Sequence, residues 1–154
     1  MSRNKQLDDL DYAILRELQV DCRTPLQDIA TKVNAPTSTV HYRIKRLERD
    51  RVIDGYYARI NPGKLDLDYL TIIQVRAVYG PGYHERIGKR LAKILGVWAV
   101  YFTLGETDFF VLTRSKNKAE YMKILDMLMA TKGIERTSTQ IVAQVILENP
   151  RLEI

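Results

Sequence analysis

Apolar residues recur with two different periods along this 154-residue chain, and the change of period divides it. From residue 7 to residue 51 the spacing is helical. Leu10, Ile14 and Leu18 stand four apart, with Ala13 and Leu15 widening the stripe, which predicts an amphipathic helix opening near Asp8. Asp8, Asp9 and Asp11 put negative charge where the helix dipole favours it, and the pattern stops before Asp21-Cys22-Arg23. Leu26, Ile29, Ala30 and Val33 predict a second helix. Thr24-Pro25-Leu26-Gln27 before it has the capping-box pattern, with Thr24 as N-cap and Pro25 at the first helical position. Asn34 suits the left-handed position that ends such a helix. A third helix is expected from about Thr37 to Asp50. Val40, Ile44 and Leu47 point inward, and Ser38, Thr39, His41, Tyr42, Arg43, Lys45, Arg46 and Arg49 point outward. A connection of about three residues between the last two helices suits a helix-turn-helix. The run from Val52 to Ile60 reads as a strand with Gly55 inside it, which would make the unit a winged variant.

The second half alternates strand and helix. Tyr69 to Tyr79 is rich in β-branched residues, and Gly80-Pro81-Gly82 breaks it. Tyr83 to Leu95 is helical, with Ile87, Leu91, Ile94 and Leu95 inward. Val97 to Leu104 and Asp108 to Arg114 are strands around the turn Gly105-Glu106-Thr107. Asn117 to Ala130 is helical, and Arg136 to Leu147 is the last strand. The order strand-helix-strand-strand-helix-strand is ferredoxin-like. The expected class is therefore α+β: a helix-turn-helix domain over 1–60, a linker over 61–66 and a βαββαβ domain over 67–154.

Composition narrows the partners. Lys and Arg total 24 against 19 Asp and Glu, a net charge of +5, which permits an anionic partner without requiring one. The excess is local: within 37–51 Arg43, Lys45, Arg46, Arg49 and Arg51 face only Glu48 and Asp50. No apolar run approaches the roughly 20 residues of a membrane helix. Met1-Ser2-Arg3-Asn4-Lys5 has no apolar region behind it, so a cytoplasmic protein is expected. A single cysteine, Cys22, excludes an internal disulfide, and two histidines with it make a zinc site implausible; no metal or cofactor is expected. His41 lies on the candidate recognition helix, His84 has no nucleophile suggested near it, and no phosphate-cradling loop is present, so an enzyme is not expected.

Two constellations remain. The third helix has the make-up of a DNA reader, with Thr37, Ser38, Thr39, His41 and Tyr42 as candidates for base edges and Arg43, Lys45, Arg46 and Arg49 for phosphates or guanines. Arg43 can instead lean along the domain surface, and a solvated charged helix is the plain alternative. The turn Gly105 to Asp108 exposes backbone amides beside a carboxylate, as an amino acid's two charged ends would require; a simple hairpin turn is the alternative. Thr137 and Thr139 could add hydroxyls, and Tyr79, Gly80 and Tyr101 could wall the site. The aromatics Trp98, Tyr101, Phe102, Phe109 and Phe110 lack the glycine spacing of an RNA-binding strand, so core or interface packing explains them better.

Taken in order, several short segments resemble the Lrp/AsnC (feast/famine) regulators. They are Leu7-Asp8-Asp9-Leu10-Asp11 with Ile14-Leu15, the run Thr39 to Glu48, and Val52-Ile53-Asp54-Gly55-Tyr56 with Asn61-Pro62. Gly105-Glu106-Thr107-Asp108 and Thr137-Ser138-Thr139 complete the set. The resemblance spans Leu7 to Leu147. It implies a transcriptional regulator that binds double-stranded DNA as a homodimer assembling into tetramers or octamers. It also implies an amino-acid effector held between C-terminal domains, with Tyr79, Gly105, Glu106, Thr107, Asp108, Thr137 and Thr139 as candidate contacts. The polar run Thr137-Ser138-Thr139-Gln140 points weakly to glutamine. Two positions depart from the family pattern. Pro36 stands where a side-chain cap is usual, so Thr37 caps the third helix or Pro36 enters its first turn. Arg51 replaces a glycine after that helix, at a cost on the order of 1 kcal/mol if left-handed, and a phosphate contact would account for its presence.

Overall fold

The computed structural model describes residues 6–154, which form two units, one of residues up to Arg59 together with Glu148–Ile154 and the other of Ile60–Leu147. The first holds three helices: α1 (Asp9–Val20), α2 (Leu26–Lys32) and α3 (Thr37–Arg49). A reciprocal capping box opens α1. The Asp8 carboxylate accepts from the Asp11 amide at 3.0 Å, and the Asp11 carboxylate accepts from the Asp8 amide at 3.1 Å. Acidic side chains thus satisfy amides that the helix itself leaves orphaned. Ile14, Ile29, Ala30, Val40 and Ile44 form the core, joined by Leu10, Leu18, Leu26, Val33, Ala35 and Ile53.

The cap expected from Thr24 does not form. Pro25 occupies the N-cap position of α2, and the Thr24 hydroxyl, one residue further out, donates to the Asp21 carbonyl at 2.8 Å. Pro36 likewise occupies the N-cap of α3 without a side-chain bond, its carbonyl accepting from the Val40 amide. Both following helix stops match expectation. Asn34 (φ 51°) and Arg51 (φ 58°) are left-handed, and the Ala35 amide to Ala30 carbonyl and Val52 amide to Leu47 carbonyl bonds close the ends. The strand expected over Val52 to Ile60, and with it the wing, is absent. That stretch joins no ladder in this chain, because every strand of the sheet lies in the other unit. Ile53 still packs on the helical core. The last residues of the chain, expected from the sequence in the second domain, dock on α1: the Gln19 amide group brackets the Leu152 backbone at 2.7 and 3.0 Å.

The second unit carries β1 (Tyr69–Ala77), α4 (Tyr83–Leu91), β2 (Val97–Phe102), β3 (Phe109–Ser115), α5 (Lys118–Met129) and β4 (Ile134–Ile141). The sheet order is β2-β3-β1-β4, with antiparallel neighbours throughout, as the ferredoxin-like reading requires. Alternation assigns the faces. Ile73, Val75, Ala77, Phe109 and Val111 face Ile87 and Leu91 of α4 and Tyr121 and Leu128 of α5 in one core. Ile72, Gln74 and Arg76 of β1 turn to the other face, beside Phe110 and Leu112 of β3 and Ser138 and Gln140 of β4 in register. Helix α4 is shorter than expected, and Leu95 is exposed rather than inward. The stop is a turn held by the Ile94 amide on the Leu91 carbonyl, running into Gly96 at φ 92°. Strand β4 ends at Ile141 instead of Leu147, the Val142 amide on the Leu70 carbonyl making the last bond of its ladder with β1.

Candidate functional site

Helix α3 separates its two sides cleanly. Val40, Ile44 and Leu47 are buried, while Ser38, His41, Tyr42, Lys45 and Arg49 are exposed. The exposed positions follow the spacing i, i+3, i+4, i+7, i+11, a single polar stripe opposite the core. Thr37 is exposed at its start and Thr39 half-buried. In front of it an open depression of about 630 Å³ runs across the turn, lined by Gln27, Thr31, Asn34 and Thr37 among others. Arg51, left-handed at the far end, is exposed and lies 3.6 Å from Asp54.

Two of the expected phosphate contacts are not on that stripe. Arg46 is 6% exposed, and its guanidinium donates to the carboxylate of Asp11, which is 0% exposed. Arg43 is half-buried and donates to Asp11 at 3.1 Å and to Asp8 at 2.5 Å. The outward assignment of Arg46 is therefore corrected: a buried carboxylate on α1 requires a cation, and Arg46 and Arg43 supply it. In the sequence Asp8 and Asp11 stand out only as a favourable charge for the helix dipole. Nothing in a periodicity pattern marks them as the partners of residues more than thirty positions away. Arg43 holds the Asp8 carboxyl below its ordinary 3.8, first through the side-chain bond, with the Asp11 amide second. The remaining cations of α3 are also matched: Lys45 pairs with Glu48 and Arg49 with Asp50, both at 3.0 Å.

The candidate effector residues are scattered by the strand pleat. Asp108 is 3% exposed, and its two oxygens accept from the Ala77 amide at 2.8 Å and the Tyr83 hydroxyl at 2.9 Å. It is a structural tie between β1, the turn and α4, not an open acceptor for an ammonium group. Tyr83 is in turn pushed up to about 12: lost hydration of the phenol comes first, then the bond to the carboxylate. Thr139 accepts from the Tyr121 hydroxyl at 2.7 Å on the helix-covered face and is equally committed. Tyr79 is 69% exposed and lies against Tyr83, with ring centroids 5.1 Å apart. Gly105 holds φ 156° at the open tip of the turn, with no atom near an added Cβ.

Glu106, Thr107 and Thr137 do come together. With Gln74, Arg76, Arg136 and Ser138 they line a depression of about 30 Å³ where the turn meets β1 and β4. Within one chain the depression is shallow and open to one side. Gln74, Arg76 and Arg136 escape a reading by motif, although strand alternation places them on the uncovered face. Among the described residues no group of three or more His, Cys, Asp or Glu is placed to hold a metal, and no helix is long and apolar enough to cross a membrane.

Residues 7–48 match the AsnC-type helix-turn-helix domain, and residues 70–152 match the Lrp/AsnC ligand binding domain. The chain is 35% identical over 148 residues to the HTH-type transcriptional regulator FL11 of Pyrococcus furiosus, covering 96% of this chain and 97% of that one. It is 33% identical to the leucine-responsive regulatory protein of Haemophilus influenzae, over 94% of this chain and 88% of the relative. Among solved structures, the feast or famine regulatory protein of M. tuberculosis complexed with L-methionine superposes with a TM-score of 0.85. The two are 28% identical, and the match covers 96% of this chain and 99% of that one. These relatives are named as regulators, a non-enzymatic role, and with both domains matched in order the chain belongs to the Lrp/AsnC family of transcriptional regulators, joining a DNA-binding helix-turn-helix to a ligand-binding domain.

Proposed function

We propose that this regulator reads duplex DNA with the exposed stripe of α3 and responds to a free amino acid bound where two ligand-binding domains meet. The observation that carries the first part is the one-sided stripe Ser38, His41, Tyr42, Lys45 and Arg49 on a helix whose other side is core. Thr37, Ser38, Thr39, His41 and Tyr42 approach base edges, and Lys45, Arg49 and Arg51 approach phosphates. Arg43 and Arg46 serve from behind, fixing the helix on Asp8 and Asp11.

The effector reading rests on the depression at Glu106, Thr107 and Thr137. It is shallow and open in one chain, and a second copy of the chain would close it. The uncovered sheet face, with Ile72, Phe110 and Leu112 among polar neighbours, supplies an apolar patch for a homodimer. Larger assemblies, tetramer or octamer, would bring further domains together. The M. tuberculosis regulator complexed with L-methionine supports an amino acid as the ligand class. The hydroxyl and amide groups of Ser138 and Gln140 leave glutamine in contention, although Thr139 is already bonded. A chain working on DNA in this way acts in the cytoplasm.

Two measurements test the proposal. A gel shift with Ser38→Ala and Thr39→Ala should show altered preference among duplexes with retained overall affinity; an unchanged preference refutes the α3 assignment. Calorimetric titration with the twenty amino acids should give heat for a small subset, and methionine and glutamine are the first to try. No heat from any of them removes the amino-acid reading while leaving the DNA reading intact.

A further inference from the structure

The cations of α3, and Arg51 just after it, each have an acidic partner within the protein. Arg43 and Arg46 pair with Asp8 and Asp11, Lys45 with Glu48, Arg49 with Asp50 and Arg51 with Asp54. A helix so neutralised can read base edges, yet it offers little net charge to a polyanion whose binding is driven by phosphate neutralisation. Net positive charge is found elsewhere. Along α4 and the turn after it, Arg86, Lys89, Arg90 and Lys93 follow the spacing i, i+3, i+4, i+7 and are all exposed, while Ile87 and Leu91 anchor the opposite side in the core. Of the four, Lys89 pairs with Glu85. Arg86, Arg90 and Lys93 form no ion pair among the described residues. Instead, the Arg86 and Arg90 guanidiniums each donate to a backbone carbonyl, Pro81 at 3.3 Å and Lys132 at 3.4 Å. Carbonyl bonds orient a guanidinium without cancelling its charge, so two of the three cations are held ready for a planar anion such as phosphate.

We propose that this ridge is a second duplex-contacting surface: Arg86, Arg90 and Lys93 of the ligand-binding domain take up backbone phosphates of double-stranded DNA. The inference rests on the reading of the chain as a DNA binder and adds a surface outside the helix-turn-helix. At 1.5 Å per residue the row from 86 to 93 is about 10 Å long. Three long basic side chains spread over that length can each reach a separate phosphate. The contact carries no sequence information. It adds to the affinity and salt dependence that Lys45, Arg49 and Arg51 provide, while the polar positions of the α3 stripe supply discrimination.

The test compares the full chain with the Arg86→Gln/Arg90→Gln/Lys93→Gln variant on a mixed-sequence duplex of about 40 base pairs, with affinity followed by fluorescence anisotropy from about 50 to about 200 mM salt. The variant's log–log salt slope should be shallower by about 2.7 per bound chain, roughly 0.9 for each phosphate that is no longer neutralised. Its affinity deficit should therefore shrink about 40-fold over that salt range. Preference among duplexes should be unchanged. The charge-preserving Arg86→Lys/Arg90→Lys variant should keep the parental slope. An unaltered slope in the neutralised variant overturns the proposal and leaves the ridge to solvent or to an acidic protein. An equal loss in the charge-preserving variant also overturns it, because the effect would then follow structure and not charge. Failure of the unmodified chain to bind duplex at any salt would sink the DNA reading itself. Salt-dependent binding that is indifferent to the ridge would sink only this inference.

Discussion

Replacing Asp11 with Asn should cost the first unit much of its stability, and the size of the loss follows from the bonds it makes. The carboxylate is fully buried, and both oxygens are engaged: one by Arg43 at 3.1 Å, the other by Arg46 and by the Asp8 amide at 3.1 Å. Asparagine keeps the shape but removes the charge, and it turns one acceptor into a donor facing a guanidinium. Arg46, almost as deeply buried, keeps its charge with nothing to balance it. Breaking a buried pair in this way costs about 3–5 kcal/mol, and losing the reciprocal half of the capping box adds to that. A domain of this size loses about 4–8 °C of midpoint per kcal/mol, so a drop of about 12–40 °C is expected in the transition of the helical unit. Scanning calorimetry, which can separate two units, reads it directly. A rescue makes the reasoning sharper. Asp11→Leu combined with Arg46→Met removes both charges and should recover most of the loss, because a well-packed apolar pair can replace a buried ion pair. The rescued variant should also shift duplex DNA, since on this account Arg46 holds α3 in place and does not touch the target. A loss below about 1 kcal/mol for Asp11→Asn, or a double variant no better than Asp11→Leu alone, would show that the network is not what holds the recognition helix. A stable double variant that no longer binds DNA would restore Arg46 as a contact.

Other expectations follow from single positions. Arg51→Gly relieves a left-handed non-glycine residue and should raise stability by about 1 kcal/mol in denaturant unfolding; weaker duplex binding in the same variant would mark Arg51 as a phosphate contact, and equal binding would exclude it. Gly96→Ala places a Cβ 2.5 Å from Ile124 Cδ1 and 3.2 Å from the Arg114 carbonyl oxygen at φ 92°. It should destabilise the second unit by about 2–3 kcal/mol, and a midpoint matching the parent's would contradict the geometry. Asp8 has its carboxyl depressed by Arg43 and the Asp11 amide. Its contribution to stability is thus complete above the unfolded value of 3.8 and lost as pH falls through the depressed one; acid unfolding of Asp8→Asn should lack that component. Tyr83 and Tyr56 should ionise near 12 in an ultraviolet titration. Asp108→Asn should bring the Tyr83 step down by removing the second of its causes.

The apolar periodicities are enough to place α1 to α5 and the four strands of the sheet, because burial repeats with the period of the element that carries it; the short 3-10 turn Pro62–Leu65 lies in the stretch expected as linker. What they cannot carry is any feature that depends on a partner elsewhere in the chain. The stretch Val52 to Ile60 has strand composition, but a strand exists only through its ladder, and no neighbour is at hand. Thr24 has the right chemistry for a cap and stands one residue too far out, since Pro25 takes the N-cap position. Element ends differ from expectation for the same kind of reason, as with β4, which ends where its ladder with β1 does.

The charged residues show the limit most clearly. In the sequence Arg46 and Asp108 both look like chemistry facing outward, and both are buried structural ties. A charged side chain enters a core only when a counter-charge or a set of donors meets it there, and that partner lies far off in sequence: Asp11 for Arg46, Ala77 and Tyr83 for Asp108. Counting charge along a segment therefore overstates what the segment can offer a ligand. The basic run over 37–51 looks like the electrostatic footprint of the molecule, yet its cations are matched almost one for one by acids on α1, on α3 itself and just after it. The row on α4 is inconspicuous in the sequence, where it sits among ordinary helix-forming residues with a modest excess of charge. Pairing, which only the folded chain reveals, reverses the ranking. The discriminating surface and the charged surface of a DNA-binding protein need not be the same one, and on the proposed reading the ion pairs separate them.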